Sequence, residues 1–219
     1  MRVIEIEGWH RKGHFDLYNR FEFPHLSICT PIDITELWEK RASSDISPTI
    51  MLVYIVTKAA NRVPEMRQRI RADHVVEHEV IHPLVTIMGK DDLFGVVTLE
   101  YDADFETFTA HAADKLTQAE GDTTLDEFPH QKQGQEAAKD DLVSITILPW
   151  LAFTSFSFTR QPREDCIPLF AIGKVHQSEG RYLMPFFVSF HHALIDGLHV
   201  ARLVKTIEEE AQELAKSFG

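Results

Sequence analysis

The sequence places two adjacent histidines just before an Asp-Gly pair, in the stretch His191-His192-Ala193-Leu194-Ile195-Asp196-Gly197. An imidazole, with an ordinary pKa of about 6.5, can take up and release a proton near neutrality. The apolar run 184–190 before the pair predicts a buried strand that ends at the histidines. Because side chains alternate along a strand, His191 and His192 point to opposite faces, and only one of them can face a given pocket.

The residues after Gly197 predict a helix. Apolar residues recur there at helical spacing on an otherwise charged segment; they are Val200, Leu203, Val204, Ile207, Ala211 and Leu214. Asp196 lies in the turn, where its carboxylate can cap this helix or pair with a cation. The histidines therefore lie where a core strand stops and a helix starts, which is a rigid place to hold a proton-transferring group.

Two other interpretations of this stretch stay open on the residues alone. His191, His192, Asp196 and His199 are all metal-ligand types, so a metal site is possible, although the two histidines diverge on a strand. A histidine pair on the surface of an acidic protein without a chemical role is the other interpretation.

Composition limits the class of protein. The 219 residues are enough for one well-buried domain, and no linker or repeat divides them, so residues 1–219 are predicted to form a single domain. The net charge of −12 disfavours nucleic acid and anionic membrane surfaces as partners. Cys29 and Cys166 form no metal or redox motif, which indicates a reducing compartment. With no secretory core and no run of membrane-spanning length, we expect a soluble, cytoplasmic protein.

Patterns along the chain predict alternating strands and helices. Strands are expected at 2–8, 26–29, 74–80, 84–89, 94–100, 142–148, 168–176 and 181–192. Helices are expected after Asp33 as a cap, from 49 to 63 after Ser47-Pro48, from an Asp104 cap to about 119, and after Gly197. The polar residues 120–140 are expected to form a surface loop.

The stretch at 191–197 resembles the signature of the coenzyme A-dependent acyltransferases. This superfamily includes chloramphenicol acetyltransferases, the catalytic domains of dihydrolipoyl acyltransferases and the condensation domains of peptide synthetases. The resemblance implies that His192 is the general base and that Asp196 has a structural role.

The amino-terminal segment 9–18 resembles chloramphenicol acetyltransferases in the order of its Trp, Arg, His-Phe and Tyr residues. In that family the arginine pairs with the signature aspartate, which implies a pair between Arg11 and Asp196, and the tyrosine, here Tyr18, lines the acceptor pocket. Without the resemblance, Arg11 would be an ordinary solvated charge and Tyr18 an ordinary core residue, and both alternatives stay open.

Two further segments resemble the same family. Leu148-Pro149-Trp150, followed by a phenylalanine-rich segment, resembles a segment of the family. There, the residue four positions before the tryptophan is a serine, and this serine donates a hydrogen bond to the oxyanion. Thr146 holds that position here, with Ser144 as the alternative if the register differs by two; the plain alternative is a β-branched strand residue. Lys174 is matched to a lysine near the adenosine end of the coenzyme, and a solvated charge is the alternative.

The resemblance covers residues from about 2 to 217 and implies an α/β fold, a two-layer sandwich with a mixed β-sheet and helices packed on one face. It implies acetyl-CoA as co-substrate, no metal, and a homotrimer with active sites at subunit interfaces, in which His192 of one chain faces the acceptor pocket, including Tyr18, of its neighbour.

The acceptor is expected to be chloramphenicol, with another small hydroxylated molecule as the alternative. Residues matched to the acceptor pocket are Leu17, Tyr18, Glu22, Pro24, Leu26 and Phe94. Ala171 stands where well-known members have a threonine. A non-catalytic or metal-binding descendant of the fold is the alternative from a different class.

Overall fold

The computed structural model describes residues 1–72, 74–125, 139–160 and 165–218. Most of the loop predicted at 120–140 lies outside these residues. The strands are β1 (Arg2–Ile4), β2 (His25–Asp33), β3 (Gln68–Arg71), β4 (His74–Glu77), β5 (His82–Met88), β6 (Phe94–Thr98), β7 (Leu142–Leu148), β8 (Leu169–Gly173), β9 (His176–Ser178) and β10 (Arg181–His191). The α-helices are α1 (Lys12–Tyr18), α2 (Thr35–Lys40), α3 (Pro48–Arg62), α4 (Phe105–Gln118) and α5 (Gly197–Ala215).

The larger sheet of the described chain is mixed. Its strand order is β2-β10-β8-β7-β5-β6, with β9 paired to one end of β10. The β5–β7 and β7–β8 pairs are parallel, and the other pairs are antiparallel. A smaller sheet has the order β1-β4-β3.

Helices cover one face of the large sheet. Helix α3 begins at Pro48 directly after Ser47, and its apolar side packs on β5 and β7, while α2 and α5 pack near β10 and β2. The stripe of α5 predicted from its spacing is buried except for the partly covered Val204, and Val200, Leu203 and Ile207 are almost fully covered. Alternate residues of β10, namely Phe186, Val188 and Phe190, belong to this core. The predicted sandwich of a mixed sheet with helices on one face is confirmed.

Aromatic rings cover part of the opposite face of the sheet. The ring of Phe187, which points away from the helices, contacts the rings of Phe156 and Phe158 at centroid distances of 5.3 and 5.6 Å. The first pair meets edge-to-face and the second is tilted, and aromatic clusters of this kind bury a large apolar area with a defined geometry. β10 is therefore packed on both faces in the part of the strand that leads to the histidines.

Several predicted strand boundaries were wrong. The strands expected at 74–80, 94–100 and 168–176 end earlier, at Glu77, Thr98 and Gly173, and the strand expected at 84–89 begins at His82. Strands β3 and β9 were not expected.

Three further boundaries also differ. The first strand ends at Ile4, and a 3-10 turn, Ile6–Gly8, replaces its second half. The strand predicted at 26–29 runs from His25 to Asp33, and its Pro31 lies opposite Pro185 of β10. β2 is an edge strand, where a residue without an N–H is tolerated. The last strand ends at His191, one residue before the predicted end, so His192 already lies in the turn.

The observed helix ends agree more closely with the ends predicted from the sequence. Asp104 caps α4 as expected, since its Oδ1 accepts a hydrogen bond from the N–H of Thr107 at 2.9 Å. Asp33 lies one residue farther from α2 than a cap normally does, but its Oδ1 accepts from both the N–H and the hydroxyl of Thr35. Across the described residues, no helix is both long and apolar enough to cross a membrane.

Candidate active site

His192 is the first residue of the turn between β10 and α5. Its N–H donates to the carbonyl oxygen of Pro24 at 2.8 Å, which ties the turn to the start of β2. Its ring Nδ1 lies 2.9 Å from the carbonyl oxygen of Ile195. A carbonyl oxygen can only accept, so Nδ1 carries the proton of the neutral imidazole and Nε2 keeps its lone pair. The turn therefore fixes the tautomer in which Nε2 is the nitrogen that can accept a proton.

The ring of Tyr18 packs against the ring of His192. Their centroids are 4.0 Å apart at an interplanar angle of 40°, and Phe190 meets the imidazole edge-on at 6.3 Å. This contact lies within one chain, so the expectation that Tyr18 faces His192 from a neighbouring subunit was wrong. Helix α1 ends at Tyr18 beside the turn, which fixes one face of the imidazole without help from a second copy.

Arg11 and Asp196 form an ion pair beneath the turn. Arg11 Nη1 donates to Asp196 Oδ2 at 2.7 Å, and Nη2 donates to the carbonyl oxygen of His192 at 3.4 Å. The Arg11 side chain is only 6% exposed, against 31% for Asp196. Burial by itself would raise the pKa of Asp196, but the hydrogen bond from Arg11 and the further contacts of the carboxylate hold that pKa below its ordinary value. Arg11 thus holds the turn at two points.

The two other histidines of the stretch are buried and take part in backbone contacts. His191 Nδ1 accepts from the N–H of Ala193 at 3.2 Å, and its ring meets the ring of His25 edge-on at 5.5 Å. His199 Nδ1 accepts from the N–H of Asp196 at 3.1 Å. His25 and the carbonyl oxygen of Ile195 were not expected at the site. His25 is revealed only by the register of β2 on β10, and a backbone carbonyl leaves no trace in a residue pattern.

Thr146 lies far from His192 in the same chain. Thr146 on β7, Ala171 on β8 and Phe187 on β10 form one row across the sheet. His192 is two strands away from Thr146 and five residues beyond this row, which corresponds to about 19 Å at ordinary strand spacings. The side chain of Thr146 is partly exposed on the face opposite the helices, whereas Ser144 on the same face is buried. One chain therefore does not bring these two residues together.

Each of the other predicted site residues lies either on the His192 side or near Thr146. Leu17 on α1 and Leu26 at the start of β2 lie on the His192 side, and both are about half exposed. Phe94 begins β6 on the same sheet face as Thr146, about 12 Å from it by strand spacing, and is 48% exposed. Lys174 follows β8 at the Thr146 end of the sheet and is exposed.

The geometry gives no support to a metal centre at the histidines. In the part of the chain that the structure describes, no group of three or more His, Cys, Asp or Glu side chains is arranged to hold a metal ion. His192 Nδ1 and His199 Nδ1 are committed to backbone partners, and Asp196 is bound to Arg11.

Comparisons with known proteins agree along almost the whole chain. A family model described as chloramphenicol acetyltransferase matches residues 1–208. Chloramphenicol acetyltransferase 2 of Haemophilus influenzae is 27% identical over 215 residues, covering 97% of this chain and 98% of the relative. Chloramphenicol acetyltransferase 3 of Escherichia coli is 28% identical over 209 residues, covering 94% of each.

Solved structures show the same likeness. A chloramphenicol acetyltransferase structure superimposes with a TM-score of 0.88 at 29% identity, covering 95% of this chain and 98% of that chain. A dihydrolipoamide acetyltransferase of Azotobacter vinelandii gives a TM-score of 0.64 at 17% identity, covering 94% of this chain and 88% of that chain, which is a likeness of fold alone.

Proposed function

Since the chain belongs to the chloramphenicol acetyltransferase family and is an acetyl-CoA-dependent acetyltransferase, we propose that it transfers the acetyl group to a hydroxyl of chloramphenicol, with His192 as general base. The observation that carries this proposal is the hydrogen bond from His192 Nδ1 to the carbonyl oxygen of Ile195, which leaves Nε2 as the proton acceptor. Another small hydroxylated acceptor is the alternative within the same chemistry.

His192 has two tasks in this reaction. Its Nε2 takes the hydroxyl proton as the acceptor oxygen attacks the thioester carbon, because an alcohol is a poor nucleophile at neutral pH. A C–O bond forms, and the carbonyl oxygen becomes an oxyanion. When the C–S bond then breaks, the imidazolium returns its proton to the departing thiolate. The imidazole ends the cycle neutral, and no acyl-enzyme forms.

Thr146 is proposed to donate its hydroxyl to the oxyanion. A single well-placed donor of this kind typically contributes about 3 to 4 kcal/mol to the transition state. With about 19 Å between Thr146 and His192 in one chain, these two groups could act on the same acetyl group only if they came from different copies. We therefore propose the family's homotrimer, with the His192 turn of one subunit facing the Thr146 end of the next sheet.

The acceptor and the coenzyme are assigned to the two sides of this interface. Tyr18, Leu17 and Leu26 offer apolar surface beside His192, and Phe94 offers an exposed ring on the Thr146 face. An acceptor with an aromatic or apolar body and a free hydroxyl matches such walls. Lys174 is proposed to meet the phosphates or the adenosine end of acetyl-CoA, since its exposed ammonium lies at the same end of the sheet.

Thiol release by the purified protein tests the proposal. We expect free coenzyme A to appear with acetyl-CoA and chloramphenicol together, and not with either alone. Chloramphenicol analogues with one hydroxyl blocked at a time identify the acceptor oxygen. Thiol release with other hydroxylated acceptors but none with chloramphenicol would replace the acceptor, and no release with any alcohol would contradict the proposed function.

A further inference from the structure

The first turn of α5 is closed by a histidine in a position that normally holds glutamate or glutamine. Asp196 caps the helix, with its Oδ1 accepting from the N–H of Leu198 at 3.0 Å, and His199 Nδ1 accepts in return from the N–H of Asp196 at 3.1 Å. Such reciprocal capping usually pairs Ser or Thr with Glu or Gln three residues later. Here the acceptor is an imidazole nitrogen, which accepts only while it carries no proton.

Glu65 sets which ring nitrogen of His199 is protonated. His199 Nε2 lies 3.5 Å from Glu65 Oε1, and the two side chains are 7% and 15% exposed. Among the described residues, the other oxygen of this carboxylate, Glu65 Oε2, is buried without a hydrogen-bond partner. A proton on Nε2 points to the negative charge, and the lone pair of Nδ1 stays available to Asp196.

One peptide unit links His199 to the proposed catalytic base. The N–H of the Ile195–Asp196 peptide donates to His199 Nδ1, and the C=O of the same peptide accepts from His192 Nδ1. A peptide unit is planar and rigid, so a group that orients the N–H also orients the C=O. The contact that sets the tautomer of His192 is thus held from the far side by His199.

We propose that His199 is a positioning residue of this acetyltransferase, which in its neutral, Nε2-protonated form holds the Ile195–Asp196 peptide in the orientation that keeps His192 ready as a base. The inference rests on the proposed role of His192. It makes the capping of α5 and the alignment of the base depend on the same titratable side chain.

A second proton on His199 reverses the contact. Nδ1 becomes a donor, with Asp196 Oδ1 at 3.5 Å as an acceptor, and the peptide N–H loses its partner. The charged groups around the ring are Glu65 from the 3-10 turn Pro64–Arg67, Asp196 from the turn before α5, Arg11 from the position just before α1, and Arg202 from α5.

The balance of these groups predicts the pH range of the effect. Burial is the main cause that lowers the pKa of His199; Arg11 and Arg202 act in the same direction, and Glu65 and Asp196 oppose it. The unfolded chain therefore binds this proton more readily than the folded chain. The stabilisation due to His199 is complete above the ordinary histidine pKa of about 6.5 and is lost as the pH falls from there toward the lower folded value.

Two substitutions separate positioning from bulk packing. His199→Gln keeps an acceptor oxygen in the usual capping arrangement but does not titrate, and His199→Ala removes the acceptor. We expect His199→Ala to lower kcat by roughly five- to tenfold, the rate equivalent of one lost cap, with the KM for acetyl-CoA nearly unchanged. His199→Gln should restore most of that loss, and the acid limb of its kcat profile should be less steep than that of the wild type.

Thermal midpoints measured between pH 5 and 8 without substrate complete the test. Below about pH 6.5, the thermal midpoint of the wild type should decrease relative to that of His199→Gln. The midpoint of the exposed control His111→Gln should run parallel to that of the wild type across the whole range. Parallel curves for His199→Gln and the wild type, or equal losses of kcat in the Gln and Ala variants, would overturn the inference. If the stability curves diverge as expected while the wild type acetylates no acceptor, the proposed function fails and the capping role stands.

Discussion

Removing the Arg11–Asp196 pair should cost both stability and rate, and the size of the loss can be worked from its burial. A hydrogen bond between charged groups contributes about 1.5 to 3 kcal/mol when it is buried. Arg11 is nearly buried, but Asp196 keeps 31% of its side chain exposed, so we place the coupling near the middle of that range, at about 2 kcal/mol. For a chain of this length, such a loss lowers the thermal midpoint by roughly 4 to 8 °C.

A double-mutant cycle with Arg11→Met and Asp196→Asn measures this coupling, and Lys12→Met with Asp16→Asn is the matched control. Lys12 and Asp16 also lie 2.7 Å apart, but both are more than a third exposed, so their coupling should be below about 1 kcal/mol. Because Arg11 also holds the carbonyl of His192, Arg11→Met should lower kcat more than it raises the KM for acetyl-CoA. A coupling as small as that of the control pair, with kcat unchanged, would refute the reasoning.

Three further outcomes follow from the placement of the site residues. Thr146→Val keeps the shape of the side chain but removes the hydroxyl, so its kcat should fall about 100- to 1000-fold, whereas Thr146→Ser should stay close to the wild type. Equal kcat values in the wild type and both variants would exclude Thr146 as the oxyanion donor. Tyr18→Phe keeps the ring against His192 and should retain kcat, whereas Tyr18→Leu should lower it, and a loss in Tyr18→Phe equal to that in Tyr18→Leu would point to the hydroxyl instead of the ring. Co-refolding equal amounts of His192→Ala and Thr146→Val chains should restore about a quarter of the wild-type activity if each site takes one residue from each copy, and a mixture that stays inactive would place both groups in one chain.

Much of the fold was predictable because its elements are locally consistent. The strand Leu142–Leu148 has the predicted bounds, and α4 begins after the predicted Asp104 cap, since β-branched runs and capping side chains act over a few residues. The length of β2 was not predictable in the same way. A proline at position 31 ends a strand in most settings, and only the edge position of β2, set by the pairing of the whole sheet, removes that restriction.

The site shows the same division between local and distant causes. The resemblance placed Arg11 and Asp196 together, and the two residues are in contact across most of the chain length. It assigned Tyr18 to a neighbouring subunit, whereas the short α1 brings its ring onto His192 in the same chain. The capping role of His199 was present in the sequence, three residues after Asp196, but histidine is not the residue type by which such a box is usually recognised.

The central claim is that the imidazole of His192 removes the proton of the acceptor hydroxyl, and thiol release by His192→Ala tests it most directly. With acetyl-CoA and the best acceptor of the wild type, and with folding checked by the thermal midpoint, we predict a loss of kcat of at least about a thousandfold. A folded His192→Ala protein that keeps kcat within tenfold of the wild type would contradict the account.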